Sequence, residues 1–262
     1  MNTVQRRLVR VPYGEGPRFV EIDRPPRQPG QPGQPGQSGQ PGQSLPGVGV
    51  VLVHGGFWRR EKTVADLHPM MHELAAEGLT VGGAEYRAAE EGGTWPTCLH
   101  DIVHALEVFA RHTGIPARRT VLVGHSAGGH LALLAAGEVT PAAVVALAPV
   151  TDLEAADAEG LGNGAVTGLL GPVAAGNRAR VLREASPAHR PVPAPCPVVV
   201  VHGSDDQAVP PSHSRRYVRE RPGSRLVAVE GARHMHLVNP GRPAWQVVRR
   251  EILALAGEAG RA

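Results

Sequence analysis

The feature that most constrains this chain is the pentapeptide Gly124-His125-Ser126-Ala127-Gly128, set between an apolar run and a helical pattern. Residues 120–123 (TVLV) read as a buried strand. The small residues Ala127, Gly128 and Gly129 then open a helix that runs to 138. A G-x-S-x-G sequence between strand and helix marks a sharp turn that lifts a serine hydroxyl above a sheet. Bulky neighbours would collide in such a turn, so small residues flank the serine. Short motifs recur by chance, and a plain glycine-rich helix start has the same composition. The flanking strand and helix are what favour Ser126 as a nucleophile.

The rest of the chain repeats the same alternation. Residues 3–11 and 18–23 alternate polar and apolar, as half-buried strands do. Nearly continuous apolar runs at 48–53, 79–86, 120–123, 143–148, 197–201 and 226–229 predict strands covered on both faces. Helical patterns lie between them at 62–77, 96–112, 126–138, 212–221 and 244–256. This order predicts one α/β domain over residues 1–262, with a mostly parallel central sheet and helices on both faces. Ligands in such sheets bind beyond the C-terminal ends of the strands. Two segments break the rhythm. Residues 25–47 repeat Pro-Gly-Gln, with glycine at every third position from Gly30 to Gly42. That is the collagen period, but it is far too short for a triple helix and predicts a flexible surface loop. Residues 152–195 hold glycine, proline and short helical pieces without a strand, and are expected to form a small cap above the strand ends.

A serine hydroxyl needs a base, and the base needs an acid to orient it. Asp205 and Asp206 both follow the strand at 197–201, where an acid would stand at a strand end. His234 and His236 both follow the strand at 226–229. Spacing alone leaves both choices open. The order Ser, Asp, His suits a nucleophile of this kind. A developing oxyanion needs preorganised N–H donors. The Ala127 amide is one candidate. The loop His54-Gly55-Gly56-Phe57-Trp58, directly after a strand, offers a second from Gly56 or Phe57. Trp58, Trp95 and His125 are candidates for lining a substrate pocket, although the two tryptophans could equally anchor their loops. His68/His72 and His100/His104 are each four apart on a helix face, but neither pair carries the H-E-x-x-H pattern of a hydrolytic zinc site. No metal or other cofactor is expected.

Composition closes off other classes. The formal net charge is +3 and the basic residues are interspersed with acids, so a nucleic-acid partner is not expected. Lys62 is the only lysine, which removes a P-loop and leaves little room for Schiff-base chemistry. Cys98 and Cys196 are the only cysteines and read as buried thiols rather than a disulfide framework. No apolar run is long enough for a membrane helix, and residues 1–10 lack a signal-peptide core, so a cytoplasmic protein acting on a small molecule is expected.

Taken together, HGGFW, Glu85-Tyr86-Arg87, Trp95-Pro96, GHSAGGHLA, Ser186-Pro187, HGSDDQAVP and GARH resemble the α/β hydrolases related to kynurenine formamidase (arylformamidase), over most of the chain from residue 48 onward. The resemblance implies an α/β-hydrolase fold and a Ser126–Asp206–His234 triad. It selects Asp206 through the pattern H-G-x-x-D-x-x-V-P and His234 through Gly-x-x-His. It implies a serine hydrolase that cleaves a carboxylic ester or a small aryl-formyl amide through an acyl-enzyme. Two rival readings remain. One is a peptidase like the prolyl oligopeptidases, which carry an additional domain that this length cannot hold. The other is a binding protein that keeps the fold without turnover.

Overall fold

The computed structural model describes residues 8–26, 47–172 and 175–261. The Pro-Gly-Gln repeat lies almost wholly outside the described residues, as does the start of the first expected strand. Among the described residues eight strands form one sheet in the order β1-β2-β4-β3-β5-β6-β7-β8. They are β1 (Val9–Pro12), β2 (Phe19–Asp23), β3 (Gly49–Val53), β4 (Thr80–Glu85), β5 (Thr120–His125), β6 (Ala143–Leu147), β7 (Val198–Gly203) and β8 (Ser224–Val229). Pairs β1–β2 and β2–β4 are antiparallel, and every other pair is parallel. Strands β3, β5, β6 and β7 are buried along their whole length, which is why each reads as an unbroken apolar run. Edge strand β8 is only half covered.

Among the described residues eight α-helices accompany the sheet: α1 (His68–Ala76), α2 (Thr97–Thr113), α3 (Ala127–Val139), α4 (Leu153–Ala158), α5 (Ala165–Leu170), α6 (Arg178–Glu184), α7 (Pro211–Glu220) and α8 (Pro243–Arg261). On one face, Met70, Met71 and Leu74 of α1 and Trp245, Val248 and Ile252 of α8 join the core formed by Val50, Val121 and Val145. On the other, Ile102 and Phe109 of α2 and Leu131 and Leu134 of α3 pack with Val51, Leu122 and Val144. Alternate residues of each strand thus feed opposite cores. Helix α3 is buried continuously from Ala127 to Ala136, as an apolar helix without a polar face must be.

The pattern at 62–77 is not one helix. A 3-10 turn, Val64–Leu67, capped by Thr63, precedes α1. Pro69 accounts for the break: a proline ring is accommodated in the first turn of a helix, so the α-helix starts beside it. Ser126 likewise stands just outside α3, as its N-terminal boundary residue. Between β6 and β7 come the three short helices α4 to α6. Ser186 ties them together: its hydroxyl accepts from the Leu153 amide at 2.8 Å and donates to the Leu182 carbonyl at 2.7 Å. Among the described residues no helix is long and apolar enough to cross a membrane.

Candidate active site

The site stands above the C-terminal ends of β5, β7 and β8. At the end of β5 the chain reverses sharply, and Ser126 takes φ 57°, ψ −118°. A left-handed φ is uncommon for a residue with a side chain and is tolerated where surrounding contacts hold it. Those contacts are visible. The Ser126 amide donates to the Leu147 carbonyl at the end of β6 (2.8 Å), and its carbonyl accepts from His130 in the first turn of α3 (3.0 Å). A side chain at Gly124 would meet the Gly128 carbonyl at 2.2 Å, and one at Gly128 would meet the Val53 carbonyl at 2.2 Å. The motif's glycines are therefore demanded by close packing of the turn against β3.

Asp206 and His234 come from two loops stitched together. Ser204 N donates to the Val229 carbonyl (3.0 Å) and Asp205 N to the Ala232 carbonyl (3.0 Å). The Gly231 amide donates to the Ser204 hydroxyl at 2.8 Å. This brings His234 Nδ1 to 2.6 Å from Asp206 Oδ2, while His234 itself stays partly open to solvent. The other Asp206 oxygen accepts from Ala208 N (2.9 Å) and Val209 N (3.0 Å). Burial alone would raise the Asp206 carboxyl. Hydrogen bonds from His202 and His234, the charge of His234 and the Val209 amide outweigh it, and the group is held well below the usual carboxylate range. Asp206 is thus an anion that hydrogen-bonds His234 at Nδ1 and leaves Nε2 on the far side of the ring.

The neighbours that the residues alone could not separate occupy different positions. Asp205 is exposed and accepts a bond from the Ser204 hydroxyl at 3.0 Å. His236 Nδ1 accepts from the Arg233 amide at 3.2 Å and so closes the turn before it. His125 is buried under His234, with ring centroids 4.4 Å apart and its Nε2 3.2 Å from the His234 carbonyl. Burial first, and the charge of His234 second, push the His125 imidazole down to about 3. It is a neutral packing group rather than an acid or base.

The loop after β3 passes beside the serine, and a Cβ placed on Gly55 would lie 3.1 Å from Ser126 Cβ. Phe57 and Trp58 both adopt positive φ, 52° and 59°. Two consecutive large residues in that region mark a loop bent under constraint. Among the described residues, no protein acceptor takes the backbone N–H of Gly56, Phe57 or Ala127. The Ser126 hydroxyl is likewise without a hydrogen-bond partner there.

The expectation for Trp58 needs correcting. Trp58 is fully buried, edge-on to His130 at 5.1 Å, so it anchors its loop in the core and lines no pocket. Its indole packs into the core, which a loop position in sequence does not reveal. Trp95 is half-buried and borders a cleft with Pro96, Arg183, Glu184, His189 and Arg190, which none of Ser126, Asp206 and His234 lines. Phe57 is the aromatic residue that stays partly exposed beside the candidate donors. The helical histidine pairs bind protein groups or solvent: His68 contacts Glu21 and His72 contacts Asp23, each at 2.6 Å, while His100 and His104 are exposed. Asp152, Glu154 and His189 approach one another in the cap, but Asp152 already caps α4 and faces Arg216.

A strand-turn-helix serine beside loops from later strands, on a sheet of this order, defines the α/β-hydrolase fold. The family model BD-FAE matches residues 41–220, more than half of the chain, and the chain belongs to that family. The match takes in Ser126 and Asp206, while His234 lies beyond it. No curated protein matches the chain. Among solved structures, Thermogutta terrifontis esterase 2 phosphonylated by sarin superposes with a TM-score of 0.72 at 20% identity, covering 99% of this chain and 97% of that one. The butyrate-bound form of the same esterase gives 0.65 at 24% identity, covering 92% and 89%. An esterase/lipase from an uncultured bacterium gives 0.72 at 19% identity, covering 100% and 87%.

Proposed function

We propose that this protein is a serine hydrolase that cleaves carboxylic esters with short acyl groups. The observation that carries the reading is the 2.6 Å contact between His234 Nδ1 and the buried, anionic Asp206, in a chain that also sets Ser126 on a strained turn. His234 Nε2 takes the Ser126 proton as Oγ attacks the ester carbonyl, and Asp206 stabilises the resulting imidazolium. The amides of Ala127 and of Gly56 or Phe57 hold the oxyanion. Collapse of the tetrahedral intermediate expels the alcohol, which takes the proton from His234. Water then repeats the cycle, releasing the acid and restoring Ser126. The chemistry uses no cofactor.

The substrate class rests on two supports. The sequence resembles arylformamidases, which act on the smallest acyl group. The esterase of similar fold is described with butyrate and with propionate bound. Formyl, acetyl and propionyl groups are therefore preferred over long chains, with small aryl formamides as the amide counterpart. Burial of Trp58 and the separate cleft at Trp95 leave Phe57 as the group against which an aromatic leaving group would pack.

The test is a panel of p-nitrophenyl esters from acetate to octanoate beside N-formylkynurenine, with Ser126→Ala as control. The reading expects kcat/KM to fall with acyl length and the control to be inert. A preference for octanoate would replace it with a long-chain esterase. Turnover that survives in the control would remove Ser126 from the mechanism.

A further inference from the structure

The loop carrying Gly56 and Phe57 is held from behind by a buried histidine and glutamate. Strands β3 and β4 are parallel, with Val53 opposite Ala84. The next residues, His54 and Glu85, therefore emerge side by side where the strands end. Both are buried, and His54 Nε2 lies 2.8 Å from Glu85 Oε1. His54 Nδ1 lies 2.8 Å from the Gly55 carbonyl oxygen. Glu85 Oε2 accepts from the Val64 amide at 2.8 Å. Tyr86 stacks on the imidazole at 4.4 Å and donates its hydroxyl to the His54 carbonyl at 3.2 Å.

This geometry has a proton requirement. A carbonyl oxygen can only accept, so Nδ1 must carry hydrogen. A neutral imidazole would then turn a bare Nε2 toward Glu85, lone pair against lone pair. The 2.8 Å approach requires a proton between them, held by the ring as an imidazolium or by the carboxyl. A second consequence concerns direction. The peptide group is planar and trans, so its C=O and N–H point opposite ways. With the Gly55 carbonyl held toward His54, the Gly56 N–H points away from that ring.

Resting on the ester-hydrolase reading, we propose that His54 and Glu85 are positioning residues for catalysis: a proton-sharing pair that locks the Gly55–Gly56 peptide so that the Gly56 N–H serves as an oxyanion donor. The pair acts through one peptide plane. The Trp58 anchor holds the other end of the loop, where the Trp58 carbonyl accepts from Ala89 N at 2.8 Å. Constraint at both ends keeps the strained residues between them in one conformation. Preorganisation of this kind is what gives an oxyanion donor its effect.

The test combines kinetics with a signal that needs no substrate. His54→Ala frees the peptide, and kcat for p-nitrophenyl acetate should fall about 100-fold, with KM within about threefold of wild type. His54→Asn keeps an N–H donor near the Gly55 carbonyl and should recover most of that loss. Glu85→Ala should fall similarly. Glu85→Gln, which can donate to Nε2 while its oxygen accepts from Val64, should come back to within about tenfold of wild type. Proton NMR of the wild type should show a deshielded, slowly exchanging proton between His54 Nε2 and Glu85 that Glu85→Ala removes. Equal damage by the Ala and the conservative variants, in step with lost melting temperature, would overturn the positioning role. Absence of that proton would overturn the sharing between His54 and Glu85. Failure of the wild type to label at Ser126 would instead overturn the ester reading, while the shared proton would still decide the His54–Glu85 pair.

Discussion

The serine turn with α3 and the cap from α4 to α6 are both rich in small residues, yet they are held in opposite ways. Every residue of α3 from Ala127 to Ala136 is buried, and the turn before it is fixed by backbone bonds to β6 and to the helix itself. The cap helices are six or seven residues long, and α6 buries only Leu182. Between α4 and α5, Gly160, Gly162, Asn163 and Gly164 all have positive φ. The cap meets the donor loop at two points: the Phe57 ring lies against Gly162, and Arg59 donates to the Asn163 carbonyl at 2.9 Å. Small residues in the first region permit close approach and rigidity. In the second they permit unusual backbone angles at 160–164, between helices whose apolar residues still join the core. Reacting groups thus sit on the stiff part of the molecule.

The largest expected effects fall on the stiff side. Ser126→Ala should lower kcat by about 10⁴- to 10⁶-fold with little change in melting temperature, since it removes the nucleophile and no packing. Asp206→Asn should cost about 10⁴-fold, because Asn cannot hold His234 in the required tautomer. Asp205→Asn, at an exposed position, should change kcat by less than about threefold by the same argument. Equal effects from the two would mean that the 2.6 Å contact with His234 is not what orients the base. His234→Ala and His236→Ala form a parallel pair with the same expected inequality.

A substitution at the seam between the regions should have an intermediate effect. A Cβ at Gly162 would lie 2.5 Å from the Phe57 ring, at a φ of +63°. Gly162→Ala should displace Phe57 and with it the donor loop, lowering kcat by about 10- to 100-fold. Stopped-flow acylation rates would check this. An unchanged rate would show that the cap and the donor loop move independently.

Burial of histidine makes the stiff region sensitive to acid. Burial pushes His130 down to about 4 against a partial offset from its bond to the Ala185 carbonyl, and pushes His125 down to about 3. In the unfolded chain both take up protons near pH 6.5. Stability is therefore full above that pH and is lost as pH falls from about 6.5 toward 4, by about 2 kcal/mol per histidine between pH 7 and pH 5. Asp206, held below its ordinary value, adds a loss only below about pH 4. Urea titrations at pH 7 and pH 5 would measure the slope, and His130→Gln should flatten it. An identical slope in that variant would assign the acid sensitivity elsewhere. The smallest effect is expected in the cap cleft: Trp95→Ala should shift the ratio of aryl to alkyl kcat/KM by less than about twofold, since the indole lines a cleft without site residues.

The strands were legible because a parallel strand covered on both faces becomes an unbroken apolar run, and Ser126 because its turn demands small residues at fixed positions. From the residues alone Asp206 and His234 were legible only as members of pairs, and it was the resemblance through H-G-x-x-D-x-x-V-P and Gly-x-x-His that singled them out. Residues one or two apart in a loop have the same local signal, and the choice between them rests on how residues 204–210 and 230–234 are stitched together. Trp58 misled because a loop position suggests exposure, whereas the indole packs in the core against His130. The His54–Glu85 contact was invisible because it needs the strand order and the register that sets Val53 beside Ala84. Both residues were present in the motifs HGGFW and Glu85-Tyr86-Arg87, so the chemical types were in view while their proximity was not.

The central claim is that Ser126 is a nucleophile activated by His234 and Asp206. Incubation with a fluorophosphonate probe, followed by intact-mass and peptide analysis, tests it without any assumption about substrate. The account predicts one adduct per chain, located on Ser126, absent from Ser126→Ala and slowed by at least about 10³-fold in His234→Ala. A chain that stays unlabelled, or an adduct on another residue, would contradict it.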